Sequence, residues 1–503
     1  MNTIHSLAAR VMLAMKIGLT SPSICATFGF SAMCLILASY IAAQDPSMPG
    51  MQTPQQHTHA ATRGVEVEYP RMGRAQANAK GGLFTLDAAM QAARENNPTL
   101  RQAEAGVKAA RARAQQAGLY PNPTVGYSGD EIRGGEINGG KQGFFVEQRI
   151  VTALKLPRAR EVMNKDTKLA EIEAEEQKVR VETAVKMAFY RVLAAQEMAD
   201  ARADLAGIAE QTVESVRRLQ NSGQRDETEV LAAEVEAQRM QLAARKMENT
   251  LREEWRSLVA IMGQPELRIQ AVAGDLESGW PALDELQVVE NVATQSPAVR
   301  IASAGGERAE AALARAKRER IPDITARVGL EYNHELLNGI PLSTGWQGNA
   351  QLGVELPIFN RNQGNIAAAR EDIVRAGAEK QRVTLTLRER AAAMAEQYAN
   401  ARLMAQQYRD GILPLAKKSY ALMSDRYGEM QAAYPRVLES KQKLFELQTE
   451  YIGALEGVWT TGLALEGYLL TDGLEAPTLP GEMDRTIRET NVPMPERLRF
   501  PSE

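Results

Sequence analysis

The sequence predicts an α+β chain of long antiparallel helical hairpins and four amphipathic β-strands. Three observations carry that expectation. Motifs recur at an offset of about 200 residues, so the chain is one unit written twice. Two runs of roughly 65 residues hold almost no helix breaker. Ahead of each run, residues alternate apolar and polar with a strict period of two, the pattern of a half-buried strand.

The N-terminus comes first. Arg10 and Lys16 precede an uncharged, largely apolar stretch from Ile24 to Ala43. A positive start, an apolar middle and small residues at Ala42-Ala43 read as a secretory signal over residues 1–43. A retained anchor is the alternative, since about 20 uncharged residues can span a bilayer. Cys25 and Cys34 are the only cysteines and both lie inside this segment. Removing the signal therefore removes disulfides and thiolate metal sites. Ile24 and Met33, rather than small residues, precede the two cysteines, which argues against lipidation. A Pro-, Gly- and Gln-rich leader follows over residues 44–85. Its Met48, Met51, His57 and His59 are soft donors suited to Cu(I) or Ag(I), or they are incidental residues of a flexible arm.

The first copy is expected over residues 86–275 and the second over 276–472, with a C-terminal tail at 473–503. Asn97-Pro98-Thr99-Leu100-Arg101 is echoed by Ser296-Pro297-Ala298-Val299-Arg300, and Tyr120-Pro121-Asn122 by Ile321-Pro322-Asp323. Val146-Glu147 returns as Val354-Glu355, and Glu229-Val230-Leu231 as Arg436-Val437-Leu438. In copy one, Leu86 to about Gly118 has helical composition and stops before Pro121 and Pro123. A β-hairpin is expected over 123–152, then a helical hairpin over 155–263. Copy two repeats these as a β-hairpin over 322–357 and a helical hairpin over 361–472.

Strand alternation is cleanest in copy two. Ile324, Ala326, Val328, Leu330 and Tyr332 interleave with Thr325, Arg327, Gly329 and Glu331; Trp346, Ala350, Leu352 and Val354 interleave with Gln347, Asn349 and Gln351. Such strands either pack on a soluble core or line a membrane barrel, lipid on the apolar side and a wet lumen on the other. Tyr332 and Trp346 flank the hairpin loop, where an aromatic girdle would lie. Four strands cannot close a barrel, because the smallest known barrels use eight. Under the membrane reading, several chains must pool their strands.

From about Leu156 to Gln220 the first long helix runs on the order of 95 Å. Val181, Val185, Ala188, Val192, Ala195 and Ala199 alternate spacings of four and three, a coiled-coil seam. The second long helix spans about Gly364 to Tyr427, with Pro414 expected to kink or end a segment. At the first hairpin tip, Gly223 ends the descending helix, and Asp226 with Glu229 fits a capping box. At the second, Pro435 stands where the returning helix should begin.

This combination resembles the TolC-like outer membrane efflux proteins over roughly Leu86 to Leu470. The most specific match is Val354-Glu355-Leu356-Pro357-Ile358-Phe359-Asn360-Arg361-Asn362-Gln363-Gly364, similar to that family's passage from last strand to long helix. Asn96-Asn97-Pro98 and Gln295-Ser296-Pro297 also look like the family, whereas Gln148-Arg149-Ile150-Val151 lacks its usual proline. The Phe359 to Gly364 style is similar to the heavy-metal branch typified by CzcC and CusC. The resemblance implies an α+β membrane protein: a homotrimer whose four strands per chain form one shared 12-stranded β-barrel in outer-membrane lipid, continued by an α-barrel of coiled-coil helices across the periplasm. It implies two partners, a periplasmic adaptor (membrane fusion) protein and an inner-membrane pump of the resistance-nodulation-division class. The adaptor is expected at the hairpin tips, Gly223, Gln224, Asp226, Gly428, Met430 and Pro435. The family places acidic gate residues early in the last long helix; Glu439 fits that pattern and Arg436 departs from it. Both could equally be solvated charges at a helix start.

The function expected is a passive exit duct for small toxic solutes, heavy-metal cations above all. The alternatives are a periplasmic coiled-coil scaffold, or a duct for drugs or secreted proteins. Catalysis and cofactors are not expected: His334 is the only histidine after the leader, and no phosphate-binding glycine loop occurs. With 59 basic against 63 acidic residues, there is no nucleic-acid footprint.

Overall fold

The computed structural model describes residues 83–132, 140–336, 343–429, 431 and 434–477. Copy one opens with α1 (Leu86–Asn96) and α2 (Pro98–Ala117). The sequence reads as one helix here, and the structure divides it at Asn97, whose ψ of 123° is extended. Pro98 causes the break, because the residue before a proline is driven out of the α region. Asn97 then caps α2, accepting from the Thr99 amide at 2.8 Å, while its Nδ2 donates to the Ile261 carbonyl at 2.7 Å. Ser296 and Pro297 play the same parts between α5 (Glu285–Gln295) and α6 (Pro297–Arg318) in copy two.

The strands are β1 (Thr124–Asp130), β2 (Lys141–Ile150), β3 (Ile324–Leu336) and β4 (Ser343–Val354), in one antiparallel sheet ordered β1-β2-β3-β4. The central ladder, β2 on β3, joins the two copies, with Ile150 opposite Ile324 and Phe144 opposite Leu330. After β2 comes α3 (Lys155–Asn221), whose 67 residues span about 100 Å. It returns through α4 (Glu227–Ile261). All six seam residues from Val181 to Ala199 are buried along α3.

Copy two descends through α7 (Gln363–Gln407), a π-helical turn at Tyr408–Ile412, and α8 (Leu413–Gly428), then returns as α9 (Tyr434–Glu466). The expected disturbance at Pro414 is thus a wider turn placed just before it. A proline lacks the amide that would bond the carbonyl four residues back and its ring crowds that carbonyl, and the π turn absorbs the misfit.

The main core lies where α3, α4, α7 and α9 meet the segment joining the two copies. Phe189, Leu193, Leu258, Tyr398 and Leu455 are all but inaccessible there. Tyr190 stacks on Trp459 at 3.7 Å, and the Trp459 indole donates to the Leu276 carbonyl at 3.0 Å. The Tyr398 hydroxyl donates to the carbonyl of Pro281. Among the described residues, no helix is long and apolar enough to cross a membrane.

Candidate functional site

The sheet sorts its side chains by chemistry. Val125 faces Val146 and Tyr127 faces Phe144; Val146 and Phe144 face Val328 and Leu330; these continue to Ala350 and Gly348, with Tyr332 opposite Trp346. One face is therefore apolar across all four strands, and nothing among the described residues covers it: Phe144 is 67%, Trp346 69% and Leu352 76% exposed. From Ile324 to Tyr332 this face extends about 26 Å along the strand, the depth of a hydrocarbon layer.

The other face is polar. Ser128 donates to Glu331 at 3.2 Å, Asn349 also donates to Glu331, and the Arg327 guanidinium lies 3.6 Å over the Phe145 ring. At the hairpin margin Tyr332 meets Trp346 edge to face at 5.5 Å. The outer edges of β1 and β4 carry no partner strand among the described residues.

Where strands give way to helices, a polar clasp holds the two copies together. Asp323 accepts from Arg149 Nη2 at 2.7 Å, Lys155 Nζ at 2.8 Å and the Thr152 amide at 3.1 Å. Burial raises the Asp323 pKa, yet hydrogen bonds from Lys155, Thr152 and Arg149 outweigh it and hold the carboxyl below its usual value. Its echo Asn122 has no such role; in copy one Gln148 donates to the Pro121 carbonyl at 2.9 Å instead. Sequence reasoning noted Asp323 only as part of an echo. The one available signal was the change from Asn to Asp between copies.

The hairpin tips lie at the other end of the long helices. Gly223 adopts φ +74° and closes α3: its amide donates to the Gln220 carbonyl at 2.8 Å, and the Gln224 amide to Leu219 at 2.9 Å. These two bonds satisfy the orphan carbonyls of a helix end. Asp226 occupies the cap of α4, but its side chain makes no cap bond. The expected capping box is absent because Arg225 takes the Glu229 carboxylate at 2.5 Å. At the second tip, α8 runs to Gly428, the Gln431 amide donates to the Arg426 carbonyl at 2.8 Å, and Pro435 stands one residue inside α9. Arg436 and Glu439 are both exposed on the first turns of α9, and Val437 between them is buried. Met430, Met48, Met51, His57 and His59 lie outside the described residues.

Two carboxylates, Glu173 buried and Asp200 half-buried, escaped the sequence reading. Glu173 on α3 is pushed up to about 7, first by burial and then by the charges of Glu176 and Asp166. Asp200 is pushed up to about 6, by burial and by Asp204. Both titrate near neutrality without metal-ligand company: no group of His, Cys, Asp or Glu among the described residues could hold a metal ion.

Known proteins match this arrangement. Residues 89–264 match the family described as outer membrane efflux protein. The chain is 23% identical over 399 residues to the cobalt-zinc-cadmium resistance protein CzcC of Cupriavidus metallidurans, covering 77% of this chain and 90% of that one. Among solved structures, the outer membrane protein VceC of Vibrio cholerae superposes with a TM-score of 0.61 at 18% identity, over 78% of this chain and 97% of its own. CusC, a protein that forms a transmembrane channel, gives 0.58 at 17% identity, over 85% of this chain and 99% of its own. Over residues 89–264 the chain therefore resembles outer membrane efflux proteins, and it shares the fold of VceC and CusC.

Proposed function

We propose that the protein is the outer-membrane exit duct of a tripartite efflux system, passing heavy-metal cations from a pump and adaptor to the exterior. The observation that carries this reading is the sheet: one uncovered apolar face, one polar face, two open edges, and helices of about 100 Å leading away from it. Three chains would contribute twelve strands, enough to close a barrel with the apolar face to lipid and the polar face to water. The duct does no chemistry of its own; its polar wall supplies a path, and the pump supplies the energy. Support for metal cargo comes from the likeness to CzcC. The tips around Gly223, Gln224, Asp226, Gly428, Met430 and Pro435 would receive the adaptor. Arg436 and Glu439 would face the constriction between the tips, and Met48, Met51, His57 and His59 would bind soft metal ions in the leader.

The test is reconstitution in planar bilayers together with deletion in the native host. Trimeric channels in the bilayer, and lost tolerance to cobalt, zinc or cadmium on deletion, are expected. A protein that stays soluble without detergent would reject the duct. Channels with unchanged metal tolerance would reject the cargo alone.

A further inference from the structure

The strand–helix margin carries a concentration of charge that the duct itself does not require. All four strands end at this margin, with Thr124 opposite Glu147, Ile150 opposite Ile324, and Ile324 opposite Val354. The helix ends are drawn to the same level. Asn362 Nδ2 donates to the Ala316 carbonyl at 2.8 Å, seating the start of α7 on the end of α6. The stem of Arg160 lies against Gly118, seating the start of α3 on the end of α2: a Cβ there would be 3.0 Å from Arg160 Cδ.

Several cations at this level are consumed locally. Asp323 takes Arg149 and Lys155, Glu161 takes Arg158 at 2.6 Å, and Glu319 takes Arg315 at 3.7 Å. Arg113, Arg160, Lys317, Arg318, Arg320 and Arg361 remain, all exposed and without an ion pair among the described residues. Among the described residues at this margin, Glu147 and Glu355 are carboxylates without an ion pair. Among the described residues at the opposite margin the balance reverses, with Asp130, Glu131 and Glu331 against Lys141.

Exposed apolar side chains are interleaved with these cations. Tyr120 is 70% and Phe359 91% exposed, and Leu154, Ile321 and Leu356 are also open to solvent. Apolar bodies at the end of an apolar band, alternating with long cationic side chains, match the boundary between acyl chains and phosphates.

We propose that this margin is a binding belt for anionic phospholipid, in the leaflet that faces the helices, with Arg160, Lys317, Arg318 and Arg320 holding the headgroup phosphates. The proposal rests on the membrane placement of the sheet argued above. It goes beyond that placement, which needs only an apolar face and is indifferent to headgroup charge. A neutral or zwitterionic surface would leave the four cations uncompensated, whereas an anionic one neutralises them. A single basic residue at an anionic surface corresponds to roughly five-fold in affinity.

The test places a reporter on the belt. Tyr120→Trp is combined with Trp346→Phe, which removes the tryptophan at the far margin, and the protein is reconstituted with brominated lipids that quench nearby tryptophan. Both brominated phosphatidylcholine and brominated phosphatidylglycerol should quench, with phosphatidylglycerol favoured roughly five-fold. Adding R160Q/K317Q/R318Q/R320Q should bring the two lipids to parity while leaving quenching by phosphatidylcholine unchanged. High salt should erode the preference in the unsubstituted reporter, which keeps the proposal testable should the fourfold variant fail to fold. Equal quenching by the two lipids in the parent, or a preference that survives both salt and substitution, overturns the belt and leaves the membrane placement intact. No quenching by either lipid overturns both.

Discussion

Replacing Glu173 by glutamine makes the protein's stability respond to pH in a calculable way. Glu173 lies almost wholly inside the helical packing, 5% exposed, with Asp166 and Glu176 nearby. Those two carboxylates are paired, Asp166 with Arg308 and Glu176 with Arg180, so neither cation is free to serve Glu173. Burial first, and then its acidic neighbours, raise its pKa from 4.5 to about 7. The folded chain thus holds a proton that the unfolded chain releases between those two values. Stability linked to Glu173 is complete below about pH 4.5 and is lost as pH rises through 7. The whole shift corresponds to roughly 3 kcal/mol per chain. Glutamine mimics the protonated acid in shape and cannot ionise. Thermal unfolding of detergent-solubilised wild type and Glu173→Gln, followed by circular dichroism from pH 4.5 to 8.5, should show equal melting temperatures at the acid end. The variant should gain several degrees at the alkaline end, with the divergence centred near pH 6, about midway between 4.5 and 7. A constant offset across the range, or a variant less stable than wild type at pH 8, would refute the account of a buried, repelled carboxylate.

Asp323→Ala strands the Lys155 ammonium, 10% exposed, and should cost about 3–5 kcal/mol in chemical unfolding. Adding Lys155→Met should restore most of that loss, and no recovery would mean the clasp is incidental. Ala350→Arg places a charge midway along the apolar face, opposite Val328, and should cost roughly 2–4 kcal/mol when the protein folds into lipid vesicles. Gln351→Arg, on the polar face, should cost little, and equal penalties would contradict the assignment of faces. Gly223 and Gly263 share φ +74°, but a Cβ at Gly223 meets nothing within 4 Å, whereas at Gly263 it would lie 2.6 Å from the Asn96 carbonyl oxygen. Gly223→Ala should therefore cost about 1–2 kcal/mol in melting experiments and Gly263→Ala clearly more. The reverse order would show that the tip, and not the base of the hairpin, is the constrained turn.

The parts of this fold set by short-range chemistry were legible in the chain. Alternation from Ile324 to Tyr332 placed a strand because the side-chain period of a pleated backbone is two. The Val181 to Ala199 spacing placed a buried helical seam for the same kind of reason. Even the break at Asn97 is written locally, in Pro98, and was overlooked because the composition on either side is helical. What composition and spacing could not convey depends on distant partners. Asp323 becomes a clasp only when β2 and β3 pair and bring Arg149 and Lys155 to it from some 170 residues away. Glu173 reads locally as one more glutamate on a charged helix, and its burial follows from neighbouring helices. The capping box at the first tip fits the local pattern of Asp226 and Glu229, yet Arg225 competes for Glu229 and wins. Roles for Arg436 and Glu439 depend on what stands opposite them in the assembly, which no local pattern encodes.

The sheet order has a consequence for how copies of this chain meet. Its two free edges come from opposite halves of the repeat, β1 from the first and β4 from the second. A second chain that adds its β1 to this β4 continues the antiparallel alternation, and it again presents a bare β4 to solvent. A single contact of this kind between two chains leaves β1 bare on one and β4 bare on the other, because the contact is head to tail and not self-complementary. Every partial assembly therefore carries the same two unsatisfied backbone rows as a lone chain, and only ring closure removes them. Subunits that fail to close would keep adding chains into open filaments, so the strand twist that bends the sheet toward closure also limits how many chains the assembly admits.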